Sequence, residues 1–364
     1  MPTPIRLESE RLFALFQARG AIPVEAPVLL PAETLLDLYG EDLRARAYVT
    51  RDPVLGEMML RPDFTVPVVQ MHMDGGADTA RYTYQGDVFR TQEAGSERPR
   101  EYAQVGVEIF DRARPASAEA EVFALVREGL GDLPCRAVTG DIGILRAAIG
   151  GLETSERRKA ALLRHVWRPR RFRALLDRYR GKLPVPTHRS FLAGMDPARV
   201  YAAIETAGPA IGMRSIAEVA ERVTALREDA ATPPIPAEQA AVLDDILALK
   251  AAAPDALSAL SDIAVDVPQI TPVLERMEAR LEALGNAGIN TDVLPFEASY
   301  GRSAMEYYDG FVFGFYVEGR PDLPPVATGG RYDALTRVLG QGREIPAVGG
   351  VIRPGVVIDA RRTA

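Results

Sequence analysis

The chain has 364 residues, 47% of them hydrophobic, with one cysteine, three histidines and a formal net charge of -7. That length and apolar content supply cores for about two or three ordinary globular domains. The lone Cys135 excludes an intrachain disulfide framework and a cysteine-pair zinc site, and His72, His165 and His188 are too scattered for metal spacing, so neither metal nor cofactor is expected.

The first ten residues hold no apolar leader-like stretch, and no apolar run approaches the ~20 residues of a membrane span, so a cytoplasmic protein without membrane contact is expected. Residues 8–19 carry Leu12, Phe13, Leu15 and Phe16 at helical spacing, stopped by Gly20. A proline-punctuated strand is predicted over Ile22 to Leu30, with Pro27 suiting a boundary such as a subunit interface. Residues 48–50 and 58–60 read as a hairpin around Asp52 to Gly56. Two antiparallel strands follow, Arg81 to Phe89 and a returning strand through Gln104 and Glu108. Helices are expected over Ala116 to Leu130 and from Ile142.

From 151 to 287 the texture turns to Ala, Leu, Arg and Glu at helical periodicity, predicting a helical insertion in a fold formed by residues 1–150 and 288–364. Within it, Arg157 to Lys182 carries eleven basic residues against one acid, Asp177, a run that could meet tRNA, a protein or only water. Strand character returns at Asn290 to Phe296 and over Tyr307 to Val317. The fold class expected is α+β, an antiparallel sheet flanked by helices.

Polar residues gather around these strands. Arg90, at a strand end, offers a planar fork for a carboxylate or phosphate. Asp63 and Thr65 could take an amino group. Gln104 and Glu108 are four apart and so share one face of their strand.

The run Leu60-Arg61-Pro62-Asp63-Phe64-Thr65 resembles the Leu-Arg-Pro-Glu-Gly-Thr of histidyl-tRNA synthetases, which belong to the class II aminoacyl-tRNA synthetases. Residues Gln104 to Glu108, Tyr307-Tyr308-Asp309-Gly310, Gly329-Gly330-Arg331-Tyr332-Asp333 and Pro346-Ala347-Val348-Gly349 resemble further motifs of that family. The resemblance covers roughly residues 5 to 150 and 290 to 358. It implies a histidine pocket with Asp63 and Thr65 at the α-amino group and Gln104 near the main-chain end of the ligand. Glu108 and Tyr308 would lie nearer the imidazole, with Tyr332 completing the wall and Tyr307 beside it.

The same comparison implies losses in ATP handling. Ser303 stands where the family has a catalytic arginine, Gln92 replaces a glutamate, and Val356 falls where an arginine grips the far phosphate. Arg302, one residue away, would face the other side of a strand, and Pro354 would disturb the final helix. The chain runs only fifteen residues past Gly349, so a separate C-terminal anticodon-binding domain is not expected. A kept amino-acid pocket with lost phosphate groups is similar to the regulatory subunits of ATP phosphoribosyltransferase, synthetase-like paralogues. That resemblance implies a non-catalytic chain that dimerises through the Pro27 region in a hetero-octamer with a short catalytic subunit and takes L-histidine as regulatory ligand. The alternatives are a truncated synthetase paralogue that still activates histidine or modifies another acceptor, and a tRNA-binding module using the basic run.

Overall fold

Phenylalanines at 311, 313 and 315 alternate along one strand, and this period of two turns all three rings to one face, where Phe123 meets them at centroid distances of 5.0–6.5 Å. That contact joins a sheet to a helix in a computed structural model that describes residues 2–32, 47–209, 211–212, 214–302 and 307–362. The strands are β1 (Ile22–Pro23), β2 (Leu29–Pro31), β3 (Val49–Asp52), β4 (Gly56–Leu60), β5 (Thr79–Phe89) and β6 (Glu101–Asp111). They continue as β7 (Cys135–Asp141), β8 (Lys250–Ala252), β9 (Pro295–Glu297), β10 (Phe311–Val317), β11 (Ala327–Arg331) and β12 (Ala347–Ile352).

Two compact units divide the chain, the first Met1–Ile144 with Leu247–Ala364, the second Leu145–Ile246. In the first, nine strands run in the order β1-β5-β6-β12-β11-β10-β7-β9-β8, antiparallel except for the β1–β5 and β7–β9 pairs. A separate small sheet has the order β2-β4-β3. The first four described helices are α1 (Pro4–Ala18), α2 (Thr65–Gly75), α3 (Pro115–Leu130) and α4 (Ile142–Gly150). The second unit takes most of α4 and continues with α5 (Glu156–Arg164), α6 (Pro169–Tyr179), α7 (Thr187–Ala193), α8 (Pro197–Thr206), α9 (Ile216–Ala231) and α10 (Ala237–Ala248). The chain then returns through α11 (Ala253–Asp266), α12 (Thr271–Asn286), α13 (Asp333–Leu339) and α14 (Pro354–Arg361).

Several expectations change. The predicted strand from Ile22 to Leu30 breaks into β1 and β2, which belong to different sheets, because Pro23 and Pro27 each lack the N–H a ladder needs. Residues 290–296 begin with a 3-10 turn at Thr291–Val293, leaving only β9 as strand, and the strand expected from Tyr307 starts at Phe311. Pro354 does not disturb the last helix: it sits at the first helical position, where its missing N–H is an orphan anyway. Arg302 is buried in a turn, so the parity of a strand does not decide its direction. Ser303 lies outside the described residues.

The expected insertion, 151–287, and the observed second unit, 145–246, differ most at the C-terminal end. Residues 250–252 add an edge strand to the large sheet, and α12 carries Arg280 into the first unit's interior. There Arg280 pairs with Glu119 of α3 and Asp141 of β7, each at 3.0 Å, and its guanidinium lies 4.4 Å over the Phe311 ring. The second oxygen of Glu119 accepts from Arg331 at 2.8 Å, and Arg331 also pairs with Asp333. Burial opposes ionisation of Glu119, but Arg280 and Arg331 outweigh it and hold the carboxyl below its usual range. Helical periodicity cannot reveal such a network.

In the second unit, Arg158 is the central strut. It bonds Asp229 at 2.6 Å, donates to the carbonyls of Pro233 and Thr232, and lies 4.9 Å over Tyr179. The helix α9 opens with a capping box between Ser215 and Glu218. A small core forms from Val200, Ala220 and Val223 with Leu192, Met195 and Ile204 packed on it.

Candidate functional site

The site begins with two residues facing each other across the sheet. In register, Glu108 of β6 stands opposite Gly349 of β12, and Gly349 opposite Gly330 of β11. A Cβ on Gly349 would lie 1.6 Å from the Glu108 carboxylate, and one on Gly330 would lie 2.8 Å from the Tyr308 ring. These glycines leave the centre of the sheet bare, and a cavity of about 1110 Å³ opens there. Gly349→Ala is therefore expected to lower stability by about 1–3 kcal/mol through overpacking, because the collision is with a buried group that has no room to swing. Urea denaturation checks this, and an unchanged midpoint would contradict the packing described.

Glu108 is 1% exposed and accepts three hydroxyl hydrogen bonds. Thr65 donates at 2.9 Å and Tyr84 at 3.0 Å to one oxygen, and Tyr332 donates to the other. Burial pushes the Glu108 carboxyl up to about 7, despite the pull of the three hydroxyls, and nearby Asp63 adds to the rise. The phenols of Tyr84, Tyr308 and Tyr332 are raised too, first by burial and then by the Glu108 charge, so they remain neutral donors. Tyr307 donates to the Thr65 hydroxyl at 3.3 Å and packs edge-on against Tyr308 and Tyr332 at 4.8 and 5.9 Å.

Each side chain has a positioning element. Thr65 opens α2 and Asp63 lies two residues before it, accepting from the Val66 N–H at 3.4 Å. Arg61 is a strut: it donates to the carbonyls of Asp87 and Ala26 and lies 4.1 Å over Phe64, which stacks on Tyr84 at 4.4 Å. Tyr332 follows β11 between Arg331 and Asp333, both tied into the buried ion-pair network, while Asp333 also accepts from the Ala347 N–H. Arg90, just past β5, donates to the Pro62 carbonyl at 2.8 Å.

All eight residues expected from the sequence, Asp63, Thr65, Arg90, Gln104, Glu108, Tyr307, Tyr308 and Tyr332, line this one cavity. So do Gln92 and Val356, whereas Arg302 is not among the described lining residues. Sequence reasoning missed Tyr84 and Arg353. Tyr84 has a readable signal, since it pairs across the strands with Gly106, whose missing Cβ lets the phenol cross. Arg353 lines the cavity while bonding the Pro325 carbonyl at 2.6 Å and the Thr328 hydroxyl at 3.3 Å, and burial lowers its pKa.

A largely antiparallel sheet flanked by helices, with a polar cavity over bare glycines at its centre, is a class II aminoacyl-tRNA synthetase-like architecture. The histidyl-tRNA synthetase profile matches residues 5–193 and 202–355. In sequence the chain is 34% identical to the ATP phosphoribosyltransferase regulatory subunit of Sinorhizobium medicae and 32% identical to that of Rhizobium rhizogenes, covering 93% of each chain in both comparisons. The chain belongs to this family of regulatory subunits, within the histidyl-tRNA synthetase-like proteins. In fold it is similar to an ATP phosphoribosyltransferase regulatory subunit/histidyl-tRNA synthetase from Bacillus halodurans, with a TM-score of 0.68 at 20% identity over 98% of this chain and 79% of that one. Histidyl-tRNA synthetase from Nostoc gives a TM-score of 0.63 at 17% identity over 100% and 75% of the two chains. No described helix is long and apolar enough to cross a membrane.

Proposed function

We propose that this chain is the non-catalytic regulatory subunit of ATP phosphoribosyltransferase: it activates a short catalytic subunit at the first step of histidine biosynthesis and carries feedback by L-histidine. Joining phosphoribosyl pyrophosphate to ATP is the partner's chemistry. Histidine occupies the inner cavity, its ammonium group at Asp63 and Thr65, its carboxylate toward Arg90 and Gln104, and its imidazole at Glu108, Tyr308 and Tyr332, with Tyr307 closing the side. The chain forms a homodimer through the Pro27 region inside a hetero-octamer.

The observation that carries this reading is the charge of the cavity. Its described lining holds six carboxylates, Asp63, Glu97, Glu101, Glu108, Asp322 and Asp359, against three guanidiniums, Arg90, Arg98 and Arg353. With Glu108 protonated the acids still prevail. Such a lining favours a ligand with cationic groups over a triphosphate, whose transfer chemistry relies on fixed positive charge at the phosphates. Neutral Gln92 and apolar Val356 face the same space. For feedback, histidine must bind one state of the assembly more tightly than the other, since equal affinity shifts nothing.

Calorimetric titration with histidine, alone and with the catalytic subunit, is expected to give saturable binding that tightens in the inhibited assembly. Absence of heat in both cases would remove the sensor role. Histidine-dependent exchange of pyrophosphate with ATP is expected to stay at background; robust exchange would favour a truncated synthetase paralogue instead.

A further inference from the structure

The basic run in the second unit sorts into two sets. One set is internal to the unit: Arg158 is bonded to Asp229, Lys159 to Glu156, and Arg173 and Arg180 to Asp244, with Arg180 also on Asp177. A second set, Arg157, Arg164, Arg170, Arg171 and Lys182, is exposed and has no ion pair among the described residues. Of these, Arg164 ends α5 and Arg170 and Arg171 fall in the first turn of α6. These three bracket the short connection that carries His165 and Arg168. Burial lowers the pKa of His165, and the charges of Arg168, Arg171 and Arg164 lower it further, so this is one close cluster of like charge.

The charge of the whole unit points the same way. Residues 145–246 hold 17 Lys and Arg against 12 Asp and Glu, a net charge of +5. The remaining residues hold 26 against 38, a net charge of -12. A cluster of like charges inside a unit of the sign opposite to the rest of its chain costs folding free energy through self-repulsion and steers encounters with an oppositely charged partner.

We infer that Arg164, Arg170 and Arg171 form a docking surface for an acidic face of the catalytic subunit. This inference rests on the proposed regulatory role. Guanidinium forks match carboxylates in bidentate geometry, which a lysine patch would not do. A nucleic acid is the poorer fit. Even with Arg157 and Lys182 added, the run offers five exposed cations without an ion pair among the described residues, fewer than the roughly 6–10 contacts of a salt-sensitive nucleic-acid binder, and the strongly acidic remainder of the chain repels an extended polyanion.

The test uses the full chain carrying R164E and R171E, with circular dichroism and histidine titration verifying fold and cavity. Sedimentation with the short catalytic subunit is read at about 50 and 300 mM salt, a range over which screening changes strongly. The expected result is at least a tenfold weaker assembly at low salt and a flattened salt dependence. Rescue by R164K with R171K is expected to be incomplete, since lysine restores charge without the fork. Unchanged assembly and salt dependence in the charge-reversed chain would overturn the surface while leaving the regulatory role standing. If the parent chain fails to assemble at all, both fall. If the reversal abolishes binding of an RNA hairpin and spares subunit assembly, the surface belongs to nucleic acid and the inference is overturned.

Discussion

Glu119→Ala is expected to unfold the first unit at a temperature on the order of 10 °C below that of the parent chain. Its carboxylate is 2% exposed and is the only link between Arg280 and Arg331 that the described ion pairs provide. Truncating it leaves Asp141 and Asp333 each with one guanidinium, and both guanidiniums face a buried void. Breaking a buried pair on one side costs about 3–5 kcal/mol, far more than the pair contributes relative to an apolar replacement of the whole set. For a unit of this size about 2–4 °C is lost per kcal/mol, which sets the scale of the shift. Differential scanning calorimetry reads it directly. The exposed Arg19–Glu128 bridge is the control, because water already solvates both partners, and Glu128→Ala is expected to leave the transition where it was. A shift for Glu119→Ala as small as the control's would show that the network is not holding the sheet to α3 and α12.

Glu108→Gln is expected to weaken histidine binding about 100-fold, the scale of removing a charge-assisted contact and leaving a hydroxyl donor facing an amide N–H₂. It is also expected to change the pH dependence. In the folded chain the Glu108 carboxyl is raised from an ordinary 4.5 to about 7, chiefly by burial. A raised pKa means that protonation favours the folded state. This group's stabilising contribution is complete below about pH 4.5 and is lost as pH rises through about 7. Ligand binding runs the other way, because a cationic ligand group favours the ionised carboxylate. Histidine affinity is then expected to fall as pH drops below about 7, by at most about tenfold per unit. The ligand's own imidazole titrates in both proteins alike, so the difference between parent and variant isolates Glu108. Titrations from pH 5.5 to 8 in buffers of different ionisation enthalpy count the protons released, and an identical slope in the variant would rule out Glu108 as their source.

Much of the cavity could be read from the chain because its residues lie in ordered runs with simple local geometry. Gln104 and Glu108 had to share a face once β6 was recognised, and Asp63 and Thr65 had to meet it once α2 began where the Arg-Pro-Asp sequence ends the strand. The hairpin of β3 and β4 was legible from Asp52 to Gly56, and α3 begins one residue before the expected start because Pro115 suits its first turn. Partners distant in sequence were not legible. Glu119 and Arg280 are 161 residues apart, each unremarkable on its own helix, and only the packed structure shows that residues 250–252 join the sheet and that α12 reaches into the first unit's interior. The prolines act against the sequence pattern in both directions: Pro27 breaks an otherwise continuous strand run, and Pro354 starts a helix rather than spoiling it. Tyr84 escaped notice because a tyrosine in a strand usually packs, and its purpose depends on the gap left by Gly106 on the neighbouring strand.

The hydroxyls of Thr65, Tyr84 and Tyr332 together satisfy the Glu108 carboxylate. Entry is consequently an exchange of donors: a molecule gains a place only by offering N–H groups as good as the O–H groups it perturbs. Amines and azoles can make that exchange, while molecules that present acceptors alone have no N–H to offer the carboxylate in place of the hydroxyls they disturb. The inner wall thus screens by donor count before shape or size is consulted.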